Sequence, residues 1–518
     1  MQKLLKYNKK IILLSIVLIA AFFRLYRINE YLTFLGDEGR DVLIVYKILH
    51  GDFTLLGPTA SVGGFFLGPI YYYFMAPFLW LFNYNPVGPA IMVALFGIAT
   101  VWLIYKVGKE FFGLGVGLIA AGLYAISPLV VTYSRSSWNP NLMPFFSLLT
   151  IYLIYKAIKN NSVKLLILSG ILLGITLQLH YLALFLGVIM GVYIFLHQYI
   201  FSKKNIFLIF KQYFYIFLGF IIGWSPFLAF EVRHGFPNII SIFNFIFQSQ
   251  DTGGSVNFTP TISNVFFRIF GRIITNFPEP QKVALGAHLN MAIWHYATLA
   301  LGLVSVSILF SKFFKEYKSH SPDFIKTSLL VVWLVFGIGL FGFYKKPIYD
   351  YYFGFMFPLP FLIVGFFLKS LWKKNIGKIL SFAILLILIY LNTLTIPFKG
   401  PANRQLNQIE EISQAVISKT DNKPFNFALI TGGNSDHAYR YFFTVWQKEP
   451  ITIENEIKDP KRKTVMPQLL VVCEIDRTLC HPLGNPLWEI AGFGRAEIVG
   501  EWDVSVVKVY KLKHYKGE

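Results

Sequence analysis

Residues 11–28 read IILLSIVLIAAFFRLYRI, and this apolar run near the amino terminus decides the class of fold. A hydrocarbon core of about 30 Å requires about 20 apolar residues per helical span. Lysines at four of the first ten positions precede the run, as expected for a cytosolic flank. Arg24 and Arg27 close the run where a cleaved signal peptide would need small residues. We therefore expect an uncleaved first helix with its N-terminus in the cytosol.

Similar apolar runs recur along most of the chain, which has 518 residues, 55% of them hydrophobic and 14% charged. Soluble domains carry about 25% charged residues, so this composition excludes disorder and argues against a soluble multidomain enzyme. With residues 67–82 left open, we predict about 11–12 apolar spans. After the first, the predicted spans are 89–106, 112–132, 141–157, 163–180, 181–200, 206–230, 291–310, 327–343, 350–369 and 378–397.

The net charge of +20 is interpreted as a record of membrane topology. Most lysines and arginines lie in short groups between apolar runs, the pattern of the positive-inside rule, so no nucleic-acid partner is expected. The alternation leaves 29–66 as a first outer loop, 231–290 as a long outer loop and the C-terminus outside the cell membrane. Counting 67–82 as a full span would invert every later loop. We therefore expect a re-entrant or juxtamembrane helix there, which requires protein or a watery cavity around its backbone.

The composition changes near residue 399, which divides the chain into a membrane core, 1–398, and an extracytoplasmic α/β domain, 399–518. Strands are predicted at 424–431 and 468–474, a helix at 437–446 and a hairpin at 496–512. The only two cysteines, Cys473 and Cys480, match no zinc-site spacing. A bridge between them is one possibility if this domain faces an oxidising compartment.

A cluster of charges, Gly36-Asp37-Glu38-Gly39-Arg40-Asp41, follows the first apolar run directly. On a helix, Asp37 and Asp41 share a face and Glu38 points away. The cluster can serve as a helix N-terminus, where carboxylates are stabilised by the dipole, or as a catalytic group at the membrane surface. Both interpretations can hold together.

Together with several later motifs, this cluster resembles the membrane glycosyltransferases of the GT-C class. The resembling branch contains protein O-mannosyltransferases and lipid A aminoarabinose transferases. It is carried by the Asp-Glu pair after the first helix, by the Gly68-Pro69 entry to an aromatic helix, by an outer loop containing Arg135, and by Tyr351-Tyr352 before two prolines. It covers roughly residues 10–400. Asn139 stands where many members carry an aspartate, and a His-Pro-Pro element is missing.

The resemblance implies a GT-C-like fold and inverting transfer of a hexosyl or pentosyl group from a polyprenyl-phosphate sugar on the outer membrane face. Asp37 matches the first acid of the pair and is the expected base, because an attacking hydroxyl must lose a proton. Glu38 matches the second acid. The acceptor would be a protein, a membrane lipid or a cell-envelope glycan. No cofactor or catalytic metal is expected.

The leaving phosphate requires cationic or hydrogen-bonding partners. Outer-facing candidates are expected to include Arg40, Arg135, Asn139, His180, Tyr181, Arg233, Lys345, Lys346, Tyr351 and Tyr352. For the basic residues, the alternative is anchoring to lipid headgroups. The principal alternative function is a polytopic transporter or lipid flippase. Such proteins place ionisable residues within their spans and are often built from repeats, whereas the acids here lie in the first outer loop.

Overall fold

A computed structural model describes residues 2–248, 257–280, 283 and 288–515, and most of them are helical. Up to residue 400 the α-helices are α1 (Gln2–Leu25), α2 (Ile28–Tyr31), α3 (Gly36–Leu49), α4 (Ile70–Leu81), α5 (Val87–Phe112), α6 (Leu114–Ile126), α7 (Pro128–Tyr133), α8 (Met143–Lys159), α9 (Val163–Leu179), α10 (Leu184–Ile194), α11 (Ile206–Gly223), α12 (Ser225–His234), α13 (Pro237–Phe247), α14 (Phe258–Gly271), α15 (Leu289–Lys318), α16 (Phe324–Gly339), α17 (Pro358–Ser370) and α18 (Asn375–Leu394).

Among the described residues, seven helical stretches are long and apolar enough to cross a membrane, or eight if one bent pair counts as a span. The prediction of a polytopic membrane protein is confirmed, but several predicted spans are not single straight helices. The predicted span 112–132 is divided between α6 and α7 at Ser127-Pro128. The predicted span 350–369 is bent by 63° between Met356 and Pro358. Proline lacks the N–H that would continue either helix.

The undecided stretch 67–82 contains α4, which has only 12 residues and a proline at position 77. At 1.5 Å per residue, a straight helix of this length reaches about 18 Å, well short of the hydrocarbon core. Its length therefore fits a re-entrant or juxtamembrane helix better than a complete span.

The predicted long outer loop, 231–290, is largely helical where it is described. It contains the end of α12, all of α13 and all of α14. The apolar positions of α13 and α14 recur at helical spacing and explain why no irregular loop forms. Part of the glycine-containing stretch Gln248–Gly254 of this loop lies outside the described residues.

The chain divides into two compact units, and the division differs from the predicted boundary at 398/399. One unit comprises 1–26, 54–74 and 91–400, and the other comprises 27–53, 75–90 and 401–518. The C-terminal segment thus forms a unit with the predicted first outer loop as far as Phe53. We call the first the membrane unit and the second the acidic-motif unit.

The C-terminal segment of the acidic-motif unit is a small α/β structure, and its predicted mixed character is confirmed. A four-stranded sheet has the order β1-β2-β4-β3, with β1 and β2 parallel and the other pairs antiparallel. Its elements are α19 (Gln405–Ser418), β1 (Asn426–Ile430), α20 (His437–Val445), β2 (Gln468–Cys473), α21 (Trp488–Ala491), β3 (Ala496–Val504) and β4 (Val507–His514). Helix α19 was not expected. Cys473 and Cys480 are joined by a disulfide.

Candidate active site

The acidic cluster forms the beginning of α3, which starts at Gly36. The Asp37 side chain is 58% exposed and receives a hydrogen bond from the Arg40 guanidinium at 3.0 Å. The same guanidinium donates to Asp41 Oδ1 at 2.8 Å, and Asp41 is fully buried. The Arg40 guanidinium is thus hydrogen-bonded to one exposed and one buried carboxylate. These two acids already balance its positive charge. Of the two, only Asp37 can reach a substrate.

Glu38 differs from Asp37 because its side chain is buried. Its Oε2 accepts the backbone N–H of Leu35 at 3.1 Å, one half of a capping box. Burial raises the pKa of this carboxyl from 4.5 to about 7, although backbone hydrogen bonds at the helix start oppose the rise. Two adjacent carboxyl groups therefore have separate roles available, an exposed one for proton transfer and a buried one that titrates near neutrality.

The membrane unit brings together a second group, made of tyrosines. Tyr344 Oη lies 3.3 Å from Tyr181 Oη and 3.4 Å from Tyr352 Oη. Tyr352 Oη in turn lies 3.3 Å from Ser61 Oγ. Ser61, Tyr344 and Tyr352 border an open cavity of about 510 Å³ that we call the polar opening. It is lined by Ser61, Val62, Tyr344, Lys346, Pro347, Tyr349, Tyr351 and Tyr352.

A larger and almost entirely apolar cavity of about 520 Å³ lies in the same unit. Tyr344 lines both this cavity and the polar opening. Helix α13 contributes Ile242, Phe245 and Ile246 to the wall, so part of the predicted outer loop 231–290 lines this cavity. The remaining lining residues are Phe65, Phe66, Leu67, Gly68, Leu177, Tyr181, Leu182, Leu184, Phe185, Phe220, Trp224, Phe227, Leu340 and Phe343.

Three predicted phosphate ligands form side-chain hydrogen bonds with main-chain groups. Arg135 donates to the carbonyls of Phe23 and Tyr26, both at 2.7 Å, at the end of α1. Asn139 Nδ2 donates to the Leu179 carbonyl at 2.6 Å. His180 Nδ1 accepts the N–H of Leu182 at 3.2 Å. Arg135, Asn139 and His180 are buried, and their role as phosphate ligands stays a prediction.

The remaining basic candidates, Lys345, Lys346 and Arg233, are all exposed but differ in place. Lys346 borders the polar opening, whereas its exposed neighbour Lys345 does not line it. Arg233, near the end of α12, is exposed and lines neither cavity. In the described ranges, no group of three or more histidine, cysteine, aspartate or glutamate side chains could hold a metal ion.

Two of the four residues whose hydroxyls meet here, Ser61 and Tyr344, were not among the site residues predicted from the sequence. Tyr344 immediately precedes the predicted lysine pair, so a tyrosine beside basic residues was an available signal. Ser61 lies in a glycine-containing turn whose Thr59 and Phe66 pair as an isolated antiparallel bridge. Nothing in the local sequence indicates that this turn meets Tyr352.

The chain is similar to known proteins in sequence and in fold. Residues 67–228 match the family profile of dolichyl-phosphate-mannose-protein mannosyltransferases. The structure superimposes on ArnT from Cupriavidus metallidurans with a TM-score of 0.59, covering 97% of both chains at 11% sequence identity. The structure thus has the fold of the GT-C membrane glycosyltransferases. The resemblance inferred from the acidic pair and its surroundings is confirmed.

Two further proteins extend the comparison. The archaeal oligosaccharyltransferase AglB from Archaeoglobus fulgidus superimposes with a TM-score of 0.53 at 13% identity, covering 90% of this chain and 69% of AglB. A Bacillus subtilis protein named as a mannosyltransferase, YycA, is 26% identical over 118 residues. That match spans 23% of this chain and only 17% of YycA.

Proposed function

We propose that this glycosyltransferase moves a sugar from a polyprenyl-phosphate donor to an acceptor hydroxyl, with inversion at the anomeric carbon. The observation that carries the proposal is the apolar cavity that shares Tyr344 with a polar opening. A ligand suited to both must have a long apolar part and a polar head. A lipid-linked sugar has this form, whereas a water-soluble nucleotide sugar would leave the apolar walls unused.

The relatives support the same class of donor. The ArnT structure contains undecaprenyl phosphate, and the AglB structure contains dolichol phosphate together with an inhibitory peptide. The family profile matched by residues 67–228 is named for a mannosyl donor on dolichyl phosphate. Mannose is therefore the first sugar to test, with pentosyl donors next. A protein, a lipid and a cell-envelope glycan remain the acceptor classes to compare.

The proposed reaction requires one base and stabilisation of one leaving group. Asp37 takes the proton of the acceptor hydroxyl while the hydroxyl oxygen forms a bond to the anomeric carbon. The bond from that carbon to the phosphate oxygen breaks, and the polyprenyl phosphate leaves with the electron pair. In the membrane unit, Lys346 and the tyrosine hydroxyls at the polar opening are the groups that we propose for binding a phosphate anion through positive charge and hydrogen bonds. Arg40 orients the Asp37 carboxylate.

The proposed location of the acidic-motif unit is the extracytoplasmic side. Its disulfide between Cys473 and Cys480 supports this orientation, because such bonds persist in oxidising compartments and are rare in the cytosol. The basic groups between spans support the same orientation. The N-terminus would then be cytosolic.

The test uses purified protein in lipid nanodiscs with undecaprenyl-phosphate mannose, together with a panel of peptide, lipid and glycan acceptors. Release of undecaprenyl phosphate and transfer of the sugar are measured together. Asp37→Asn is expected to reduce transfer at least about 100-fold, the lower range for loss of general base catalysis. Asp52→Asn, at an exposed position of the same unit, is the matched control and is expected to retain activity. Full transfer by Asp37→Asn would exclude Asp37 as the base.

A further inference from the structure

The beginning of α3 depends on a residue almost 400 positions away in sequence. The first N–H groups of a helix lack partners within the helix and are usually satisfied by a neighbouring polar side chain. Leucine occupies the position before α3, so it offers no side-chain acceptor. The Gly36 N–H instead donates to Asn434 Oδ1 at 2.8 Å. Asn434 therefore caps the helix turn that carries Asp37.

Asn434 is itself held by a network of hydrogen bonds around Glu474. Its Nδ2 lies 3.3 and 3.5 Å from the two carboxylate oxygens of Glu474. Tyr439 Oη donates to the same carboxylate at 2.7 Å, and Thr431 Oγ1 donates at 2.8 Å. Because a carboxylate only accepts hydrogen bonds, the amide nitrogen of Asn434 must face Glu474 and its oxygen must face Gly36.

The backbone of α3 is also pressed against the same segment. A Cβ placed on Gly36 would lie 2.1 Å from Ser435 Oγ, and a Cβ on Gly39 would lie 2.3 Å from the Ala438 nitrogen. The two glycines flank the Asp-Glu pair and lie on one face of the helix. The Asp37 side chain remains 58% exposed. The C-terminal segment thus contacts the backbone on both sides of Asp37 and leaves its carboxylate accessible.

We propose that Asn434 and Glu474 are positioning residues of this glycosyltransferase. Glu474 orients the Asn434 amide, the amide fixes Gly36, and Gly36 fixes the place from which the Asp37 carboxylate reaches its substrate. The proposal rests on the proposed function of Asp37 as the base. It assigns the C-terminal segment a direct part in the reaction, because a base displaced by about 1 Å can lose about 100-fold in rate.

An exchange of amide and carboxylate between the two positions tests the proposal. Asn434→Asp places a carboxylate against Glu474 and removes the donor, so repulsion moves the cap away from Gly36. Glu474→Gln alone keeps an oxygen for Tyr439 and Asn434 and is expected to have a small effect. In the double variant N434D/E474Q, the new amide donates to the new carboxylate, which restores the contact with the original net charge. Asn422→Asp with Glu449→Gln, both at exposed positions, is the matched control.

Two readouts are measured in nanodiscs. The first is amide hydrogen exchange of peptides covering residues 33–42, which requires no substrate. Exchange at Gly36 is expected to rise about tenfold in N434D, the effect of losing one cap, and to return in the double variant. The second is turnover with undecaprenyl-phosphate mannose, where kcat of N434D is expected to fall at least about tenfold with KM little changed. The double variant is expected to recover to within about threefold of the parent, since its contacts are remade.

The proposal would be overturned if hydrogen exchange at Gly36 were unchanged in N434D. It would also be overturned if neither the exchange nor the turnover of the double variant returned towards the parent's value. A loss of turnover that only follows a loss of folded protein in thermal unfolding would also overturn it. The proposed function fails separately, if Asp37→Asn retains full transfer. If Asp37→Asn loses transfer while kcat of N434D is unaffected, Asp37 remains assigned as the base. Only the positioning role of Asn434 is then excluded.

Discussion

At the scale of single residues, burial separates the two acids of the motif. The sequence places Asp37 and Glu38 side by side and correctly suggests that they point in different directions. It does not reveal that Glu38 is buried while Asp37 is exposed, because burial depends on residues far away in sequence. The burial of Arg135 was not predicted either, for the same reason. An arginine in an apolar chain suggests a phosphate ligand, and the sequence does not show that the carbonyls of Phe23 and Tyr26 accept hydrogen bonds from Arg135.

Replacing Glu38 by glutamine is expected to change how stability depends on pH. Burial raises the pKa of Glu38 from 4.5 to about 7. Between these values the unfolded chain loses the proton while the folded protein keeps it, so stability falls as pH rises through this window and is lowest above pH 7. The stability of Glu38→Gln, which does not titrate, should therefore increase relative to that of the parent from pH 4.5 to 7.5, by on the order of 3 kcal/mol.

Thermal unfolding followed by tryptophan fluorescence at pH 4.5, 6.0 and 7.5 measures this gain. Glu456→Gln, at an exposed position, serves as the control and should unfold in parallel with the parent at every pH. A constant difference between Glu38→Gln and the parent across the three pH values would contradict the assignment of a raised pKa.

Lys346 and Lys345 allow a matched comparison of neighbouring charges. Lys346 borders the polar opening, and Lys345 is exposed and does not line it. Lys346→Met should weaken binding of undecaprenyl phosphate by roughly tenfold, the order expected for one charge-assisted hydrogen bond. Lys345→Met should change binding less. Binding is measured by native mass spectrometry in nanodiscs, and equal losses for both variants would argue for general attraction to the lipid surface.

At the scale of elements, α3 illustrates why a local rule can mislead. Alanine is favoured over glycine inside a helix by about 1 kcal/mol, so Gly39→Ala would stabilise an isolated α3. In the folded chain, its Cβ would lie 2.3 Å from the Ala438 nitrogen and 2.4 Å from the Ala438 Cα. Backbone atoms cannot move aside as a flexible side chain can, and such overpacking costs about 1–3 kcal/mol or more.

Gly39→Ala is therefore expected to lower the unfolding temperature and to reduce turnover, against its helix propensity. Gly400→Ala is the control, because a Cβ there would meet no atom within 4 Å. Both variants are compared by thermal unfolding and by release of undecaprenyl phosphate. A Gly39→Ala protein at least as stable and active as the parent would show that the contact between α3 and α20 is not tight.

At the scale of the whole molecule, the sequence predicts the elements better than their grouping. The long apolar runs predict the membrane helices, and shorter runs between turn signals predict β1, β2, α20 and the final hairpin. The helix break at Ser127-Pro128 was not predicted, because hydropathy is averaged over a stretch that contains the break. The grouping of residues 27–53 with the C-terminal segment could not be predicted. It depends on contacts such as the Arg404 N–H to Glu30 carbonyl bond at 2.9 Å, which join positions far apart in the chain.

The disulfide provides a test of orientation for the whole chain, because Cys473 and Cys480 are its only cysteines. If the acidic-motif unit faces an oxidising outer compartment, intact cells should show no labelling by a membrane-impermeant maleimide before reduction. An impermeant phosphine should then expose both thiols and allow two adducts. In a Cys473→Ser/Cys480→Ser background, Asn160→Cys, directly after α8, should be labelled only after permeabilisation. Asn422→Cys should be labelled in intact cells. Labelling of Asn160→Cys in intact cells, with Asn422→Cys protected, would reverse the topology and with it the membrane face on which the proposed transfer takes place.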